Sequence, residues 1–517
     1  MLGDKMSNKR VIFLNSGVGI VSQIVSMIFQ FVARMVFIKS IGIGLLGINS
    51  TFSSVLAAFS LAELGFQTAI VYSLYSPLNS NDKSEINKIV NVFKFVYRAI
   101  GIFFIVASIA FLPFIPKILT NVDINKYIYI FFLLQSSASV CSYFLAYKRT
   151  LLYADQKNYI SQIIDLIANV VFNILQIISL AVFKNYLIYL VLKLLQVFIS
   201  NMIVNIACIR IYPYLHSEKI DKSILQGIWS NVKNVFVGKV AGYIYTSTDN
   251  LVISTVVSTV SVGYLVNYTT ITYNLKAITN SILNPIAPII GNHLTSENSK
   301  NDKEHIFSVY THVRFIIAIM LIVPTTVLID DFVSMWVGRI YIMPKIIVIL
   351  LVADLFIHLV HSACCDYING MGLFKHDRNI AIVGAAVNII VSIILAKLIG
   401  IEGVLIGTVV SQIIFWIGRS IIVYKACFNL ELKRFNRYWI KNIVYIVATA
   451  FMILASKFIY SLINIKQPVF KFILGGIITE CIVGVVYVCI FRSFNESREV
   501  IAIIKKNIIR KKLKVAA

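Results

Sequence analysis

The chain has 517 residues, 58% of them apolar and only 14% charged, with a mean hydropathy of +0.84. That composition excludes an ordinary soluble domain and fits a polytopic all-α membrane protein. The net charge of +24 could suggest nucleic acid, but the basic residues cluster in short segments between apolar runs, as topology signals do, and no nucleic-acid partner is implied.

Runs long enough to cross a bilayer place about fourteen helices, at 11–38, 44–75, 92–115, 127–147, 159–182, 186–210, 232–257, 262–290, 307–328, 344–369, 380–399, 402–424, 441–463 and 469–491. The first is too long for a signal-peptide core and lacks a small-residue cleavage site, so it reads as a retained span. An even number of spans puts both termini on one side. With the termini inside, 32 Lys/Arg fall in or beside inner segments and 10 beside outer ones, which places both ends in the cytoplasm. The tail SREVIAIIKKNIIRKKLKVAA reads as a basic amphipathic helix on the anionic inner leaflet.

An internal repeat is visible. Arg34 precedes Gly47 by 13 residues, and Asp249 precedes Gly263 by 14. YADQKNYISQIIDLIANVVFNIL, from Tyr153, matches GLFKHDRNIAIVGAAVNIIVSII, from Gly372, with Asn169 and Asn388 at equivalent depth. Both offsets are about 215–219 residues and relate odd spans to odd spans, which predicts parallel six-helix repeats about an axis along the membrane normal. The expected organisation is an N-terminal lobe (1–215), a C-terminal lobe (216–430), helices 13 and 14 (431–495) and a basic cytoplasmic tail (496–517).

No phosphate-binding loop or Gly-rich nucleotide fingerprint occurs. The seven cysteines have no metal-ligand spacing, and the histidines build no hydrolase constellation, so the sequence implies neither an enzyme nor a cofactor nor a metal. His358 and His361, one helical turn apart near Asp354 and the Cys364–Cys365 pair, read first as packed helix histidines, with a proton relay and then a metal cluster as the alternatives. What remains is charge inside the membrane, which is expensive and therefore marks candidate sites. The cations are Arg34, Lys193, Lys239, Lys276 and Arg419; the acids are Glu63, Asp165, Asp249, Asp354 and Glu480. Arg34 and Lys276 lie deepest and are either cavity ligands or ion-pair partners. Lys193 and Lys239 are within snorkelling reach of an interface, Arg419 reads as interfacial, and Glu63 and Asp249 are ligands or ion-pair partners. Cations of this kind in a cavity between two lobes would suit an amphipathic anion, because a guanidinium forks onto phosphate and an ammonium meets it as a point charge.

FIKSIGIGLLGINSTFSSVLAAFSLAELGFQTAIVYSLY, YADQKNYISQIID and TSTDNLVISTVVSTVSVGYLVNYTTI resemble the polysaccharide-transporter branch of the multidrug/oligosaccharidyl-lipid/polysaccharide exporter superfamily. Wzx-type flippases and the lipid II flippase belong to it. The resemblance runs over essentially the whole chain. It implies two six-helix lobes, alternating access, and transfer of an undecaprenyl-diphosphate-linked glycan from the inner to the outer leaflet of a bacterial cytoplasmic membrane. It makes Arg34 a cavity cation, and the last two helices similar to the pair that forms a lipid-tail groove in the lipid II flippase. A polysaccharide polymerase, glycosyltransferases and membrane lipids would be the partners. A multidrug antiporter of the same superfamily, and a channel or membrane scaffold, are the alternatives; an antiporter for cations should favour acidic cavity residues.

Overall fold

The computed structural model describes residues 2–63, 66–218, 224–226, 240, 247–283 and 300–502. All regular structure among the described residues is helical, as lipid requires: a span without water must satisfy its backbone internally. The principal helices are α1 (Leu2–Ile41), α2 (Ile43–Phe59), α3 (Phe66–Ser80), α4 (Lys83–Phe111), α5 (Lys126–Leu145), α6 (Asn158–Phe183), α7 (Tyr186–Ile211), α8 (Thr259–Leu283), α9 (Lys300–Trp336), α10 (Lys345–Gly370), α11 (Phe374–Ile399), α12 (Ile401–Cys427), α13 (Leu432–Ser461) and α14 (Pro468–Phe491). Among the described residues, eleven helices are long and apolar enough to cross a membrane. The chain is a polytopic integral membrane protein.

At the starts of α4, α5 and α7, short polar side chains supply the caps. Asp82 accepts from the Glu85 amide at 2.9 Å, Asn125 from Tyr127 at 3.0 Å, and Asn185 from Leu187 at 2.8 Å. Each satisfies an amide that the first helical turn leaves without an intrahelical partner.

The expected second span, 44–75, is two helices rather than one. α2 ends at Phe59, a 3₁₀ turn covers Ser60–Glu63, and α3 begins at Phe66 and carries Pro77. The break falls at the carboxylate, which accepts a hydrogen bond from the Tyr97 hydroxyl on α4. Irregular backbone at membrane depth persists only where protein covers it. The expected seventh span lies mostly outside the described residues. The eighth appears as α8, which is too rich in Asn, Thr and Lys to register as an apolar span.

The helices gather into two compact units, Met1–Val266 and Asn267–Ala517. In the first, α1 packs on α6, α6 on α7, α7 on α5 and α5 on α4. Its apolar core centres on Phe52, Phe93, Phe104 and Phe132. α2 and the start of α8 meet backbone to backbone within this unit. A Cβ on Gly47 would lie 2.0 Å from the Thr259 carbonyl oxygen, and one on Gly263 would lie 2.5 Å from that of Ile43. The contact is reciprocal, as between two elements related by a two-fold axis, and only glycine permits it. In the second unit α10 packs against α9 and α12, and α11 against α12. α13 and α14 pack on α9 and on each other.

Candidate functional site

In the first unit the intramembrane cations gather on α1 and α7. Arg34 is half-buried, and its Nη1 donates to the Val266 carbonyl at 2.9 Å. Tyr189 of α7 lies close enough to interact electrostatically with the guanidinium, and its ring meets Phe37 edge-on at 5.4 Å. Lys193 follows Tyr189 by four residues, so both lie on one face of α7. Neither Arg34 nor Lys193 meets a carboxylate among the described residues. A guanidinium and an ammonium borne on adjoining helices, with tyrosines around them, can hold an anion.

Further along α6 and α7 the charges are matched. Arg149 forks onto Asp165, Nη1 to Oδ2 at 2.5 Å and Nη2 to Oδ1 at 3.0 Å, while Ser200 donates to Asp165 and Nη2 also reaches Asn201. Asn169 donates to Ser26 of α1 at 2.8 Å, and its repeat counterpart Asn388 donates to Thr408 at 3.3 Å. Both asparagines tie neighbouring helices together.

In the second unit the polar groups line one stripe of α10. Asp354, His358, His361 and Cys365 recur at intervals of four, three and four, which is one helical face. Lys276 of α8 donates to Asp354 Oδ2 at 2.6 Å, and Gln412 of α12 donates to Oδ1 at 3.0 Å. Further along α10, Asp366 pairs with Arg314 of α9, whose Nη1 also donates to the Leu359 carbonyl at 3.3 Å. Tyr310 donates to the same Asp366 at 2.6 Å. Arg419 clasps Asp377 through Nε at 2.6 Å and Nη2 at 3.1 Å, and also reaches His361.

The structure therefore sorts the sequence-derived candidates. Arg34 lies beside Tyr189, and Lys193 shares a face of α7 with that tyrosine. Lys276 is in an ion pair with Asp354. Glu63 serves Tyr97 at the break after α2. Asp249 starts a one-turn helix, Asp249–Val252, and is half-buried. Lys239 lies outside the described residues. Arg419, expected at an interface, is clasped by Asp377 across α11 and α12. Glu480 is half-buried on α14. Sequence reasoning passed over Arg314, only 3% exposed, because it stands seven residues after the expected start of its span and counts there as part of the basic inner flank. Its apolar continuation, FIIAIMLIV, was the available signal. Among the described residues no three His, Cys, Asp or Glu side chains are grouped to hold a metal.

An all-helical, multi-pass membrane fold with ion pairs in both units, and with Arg34 and Lys193 meeting no carboxylate among the described residues, defines the class. Its particular fold is shared with solved transporters. The lipid II flippase MurJ in an inward closed conformation superposes with a TM-score of 0.65 at 14% identity, covering 93% of this chain and 99% of that one. An inward-facing multidrug resistance MATE family transporter of the MOP superfamily gives 0.58 at 12%, covering 78% and 96%. The MATE multidrug transporter DinF-BH gives 0.57 at 14%, covering 80% and 97%. No protein-family description and no curated protein matches the sequence.

Proposed function

We propose that this protein is a flippase that exports undecaprenyl-diphosphate-linked oligosaccharide from the inner to the outer leaflet of a bacterial cytoplasmic membrane, by alternating access, for surface polysaccharide synthesis. The observation that carries the reading is the extent of its likeness to the lipid II flippase, which spans 93% of this chain against 78% and 80% for the two multidrug transporters. The surplus has the size of two further helices, such as α13 and α14. The parallel six-helix repeat seen in the sequence fits the same reading, with both termini cytoplasmic.

Arg34 and Lys193 would receive the diphosphate, the guanidinium through two parallel hydrogen bonds and the ammonium as a point charge. Lys276, Lys239, Glu63 and Asp249 would take part only on release of their present partners or in segments beyond the described residues. A polymerase and glycosyltransferases would act before and after transfer. A diphosphate with about two negative charges leaving an inside-negative cell gains roughly 2.3 kcal/mol per charge per 100 mV, enough to drive export without a coupling ion.

The test is transfer of fluorescent lipid-linked oligosaccharide across liposomes containing the purified protein. Export should rise with an imposed inside-negative potential. Arg34→Ala should abolish it with the protein still inserted, and Arg34→Lys should retain part, since one hydrogen bond of the fork is lost. Unchanged sidedness of the lipid, or normal export by Arg34→Ala, defeats the proposal.

A further inference from the structure

A cleft between α9, α12 and α13 lies at the polar end of α13, in the second unit. Its floor includes Asn442, whose exposure is 1%. The Asn442 amide donates through Nδ2 to the Tyr438 carbonyl at 2.9 Å, which fixes the side chain, and its buried Oδ1 has no hydrogen-bond partner among the described residues. A buried acceptor left without a partner is costly and calls for a donor. The rim carries Arg434, Arg437 and Lys441. Arg434 is bonded to Glu304 at 2.9 Å and to Glu431 at 2.8 Å, and Lys441 to Glu496 and to Ser308. Arg437 is exposed and meets no carboxylate among the described residues. Among the described residues the cleft thus offers a free cation at its mouth and a free acceptor at its floor.

Helix length sets the depth. α13 has 30 residues, about 45 Å at 1.5 Å per residue, against a hydrocarbon core of about 30 Å. Its lipid-facing apolar face begins at Ile440 and continues through Ile443, Val447, Phe451 and Leu454, all exposed. Arg437, Trp439 and Lys441 consequently stand where headgroups lie, with tryptophan in its preferred interfacial position. The enclosed part of the cleft holds about 30 Å³, room for one or two water-sized groups.

We propose that this cleft binds the headgroup of a phospholipid that carries both a phosphate and a hydrogen-bond donor, with ethanolamine the best match. The phosphate meets Arg437 at the rim, the ammonium donates to Asn442 Oδ1, and the acyl chains lie along the apolar face of α13. The balance of Arg434 and Lys441 by Glu304, Glu431 and Glu496 leaves a near-neutral lining that favours a zwitterion over a doubly charged headgroup. This site is independent of the exported substrate, so failure here leaves the flippase reading standing.

The experiment is thermal stability of the full-length protein in detergent, titrated with dioleoyl phosphatidylethanolamine, dioleoyl phosphatidylcholine or inorganic phosphate. Phosphatidylethanolamine should raise the midpoint at least tenfold more potently than phosphatidylcholine, whose trimethylated nitrogen has no proton to donate. Arg437→Ala, at an exposed position, should lose the protection with an unchanged midpoint in the absence of lipid. Asn442→Leu should abolish the discrimination between the two lipids. Equal protection by phosphatidylcholine, equal protection by inorganic phosphate alone, or undiminished ethanolamine preference in both variants overturns the assignment; in the first case only a water fills the floor.

Discussion

The Lys276 and Asp354 pair offers a sharp separation of structural from ligand roles. The contact is 2.6 Å, with side-chain exposures of 22% and 13%, and Gln412 holds the second carboxylate oxygen. Removing one member of a buried pair leaves an uncompensated charge and costs about 3–5 kcal/mol; the residual exposure places this pair toward the lower figure. Asp354→Leu and Lys276→Leu should each lower thermal stability markedly. Because replacing both partners of a buried pair by apolar side chains is often close to neutral, the double variant should recover most of the loss, with a coupling on the order of 2 kcal/mol. The assay is the fraction of protein surviving heating, read by size-exclusion fluorescence, alongside lipid export on the same preparations. A stable double variant that still exports makes the pair structural. A stable double variant that does not export gives Lys276 or Asp354 a role in transport. Single variants as stable as the parent, or costs that simply add in the double, would refute the ion-pair reasoning.

Gly47→Val should block proper packing of α2 on α8, since its side chain would meet the Thr259 carbonyl, and insertion with loss of export and a lower melting midpoint is the expected result. Glu496 gives a pH signature: burial alone would raise its carboxyl, but hydrogen bonds from Lys441 and Ser308 hold it down to about 2. A carboxyl with a depressed folded value contributes stability above its ordinary 4.5 and loses it as pH falls toward 2, so melting midpoints measured from pH 6 to 3 should fall, and Glu496→Gln should flatten that dependence. Arg419→Ala should cost stability through loss of the Asp377 clasp, measured by the same heating assay, with Arg419→Lys recovering only part. Cysteines placed at Lys83, Lys300 and Arg434 should resist impermeant maleimide in intact cells and react after permeabilisation; labelling in intact cells would reverse the assigned topology.

The membrane class and helical fold were legible in the chain because a bilayer imposes long apolar runs that no soluble core needs. Composition and run length state that constraint directly. Buried charges were also visible one by one: Arg34, Lys276, Asp165 and Asp354 stand out against their apolar neighbours. Their partners were not. Lys276 and Asp354 are 78 residues apart, Arg314 and Asp366 52, and the choice between a pair and a free cation depends on which helix faces lie together. Periodicity assigns a residue to a face of its own helix but carries no information on the opposite face, so only tertiary packing could leave Arg34 beside a carbonyl and a tyrosine and Lys276 beside a carboxylate. The same holds for the break at Glu63 and for Gly47 against Gly263. The sequence repeated the glycines at matching positions, but their meeting depends on two helices crossing at a distance that glycine alone allows.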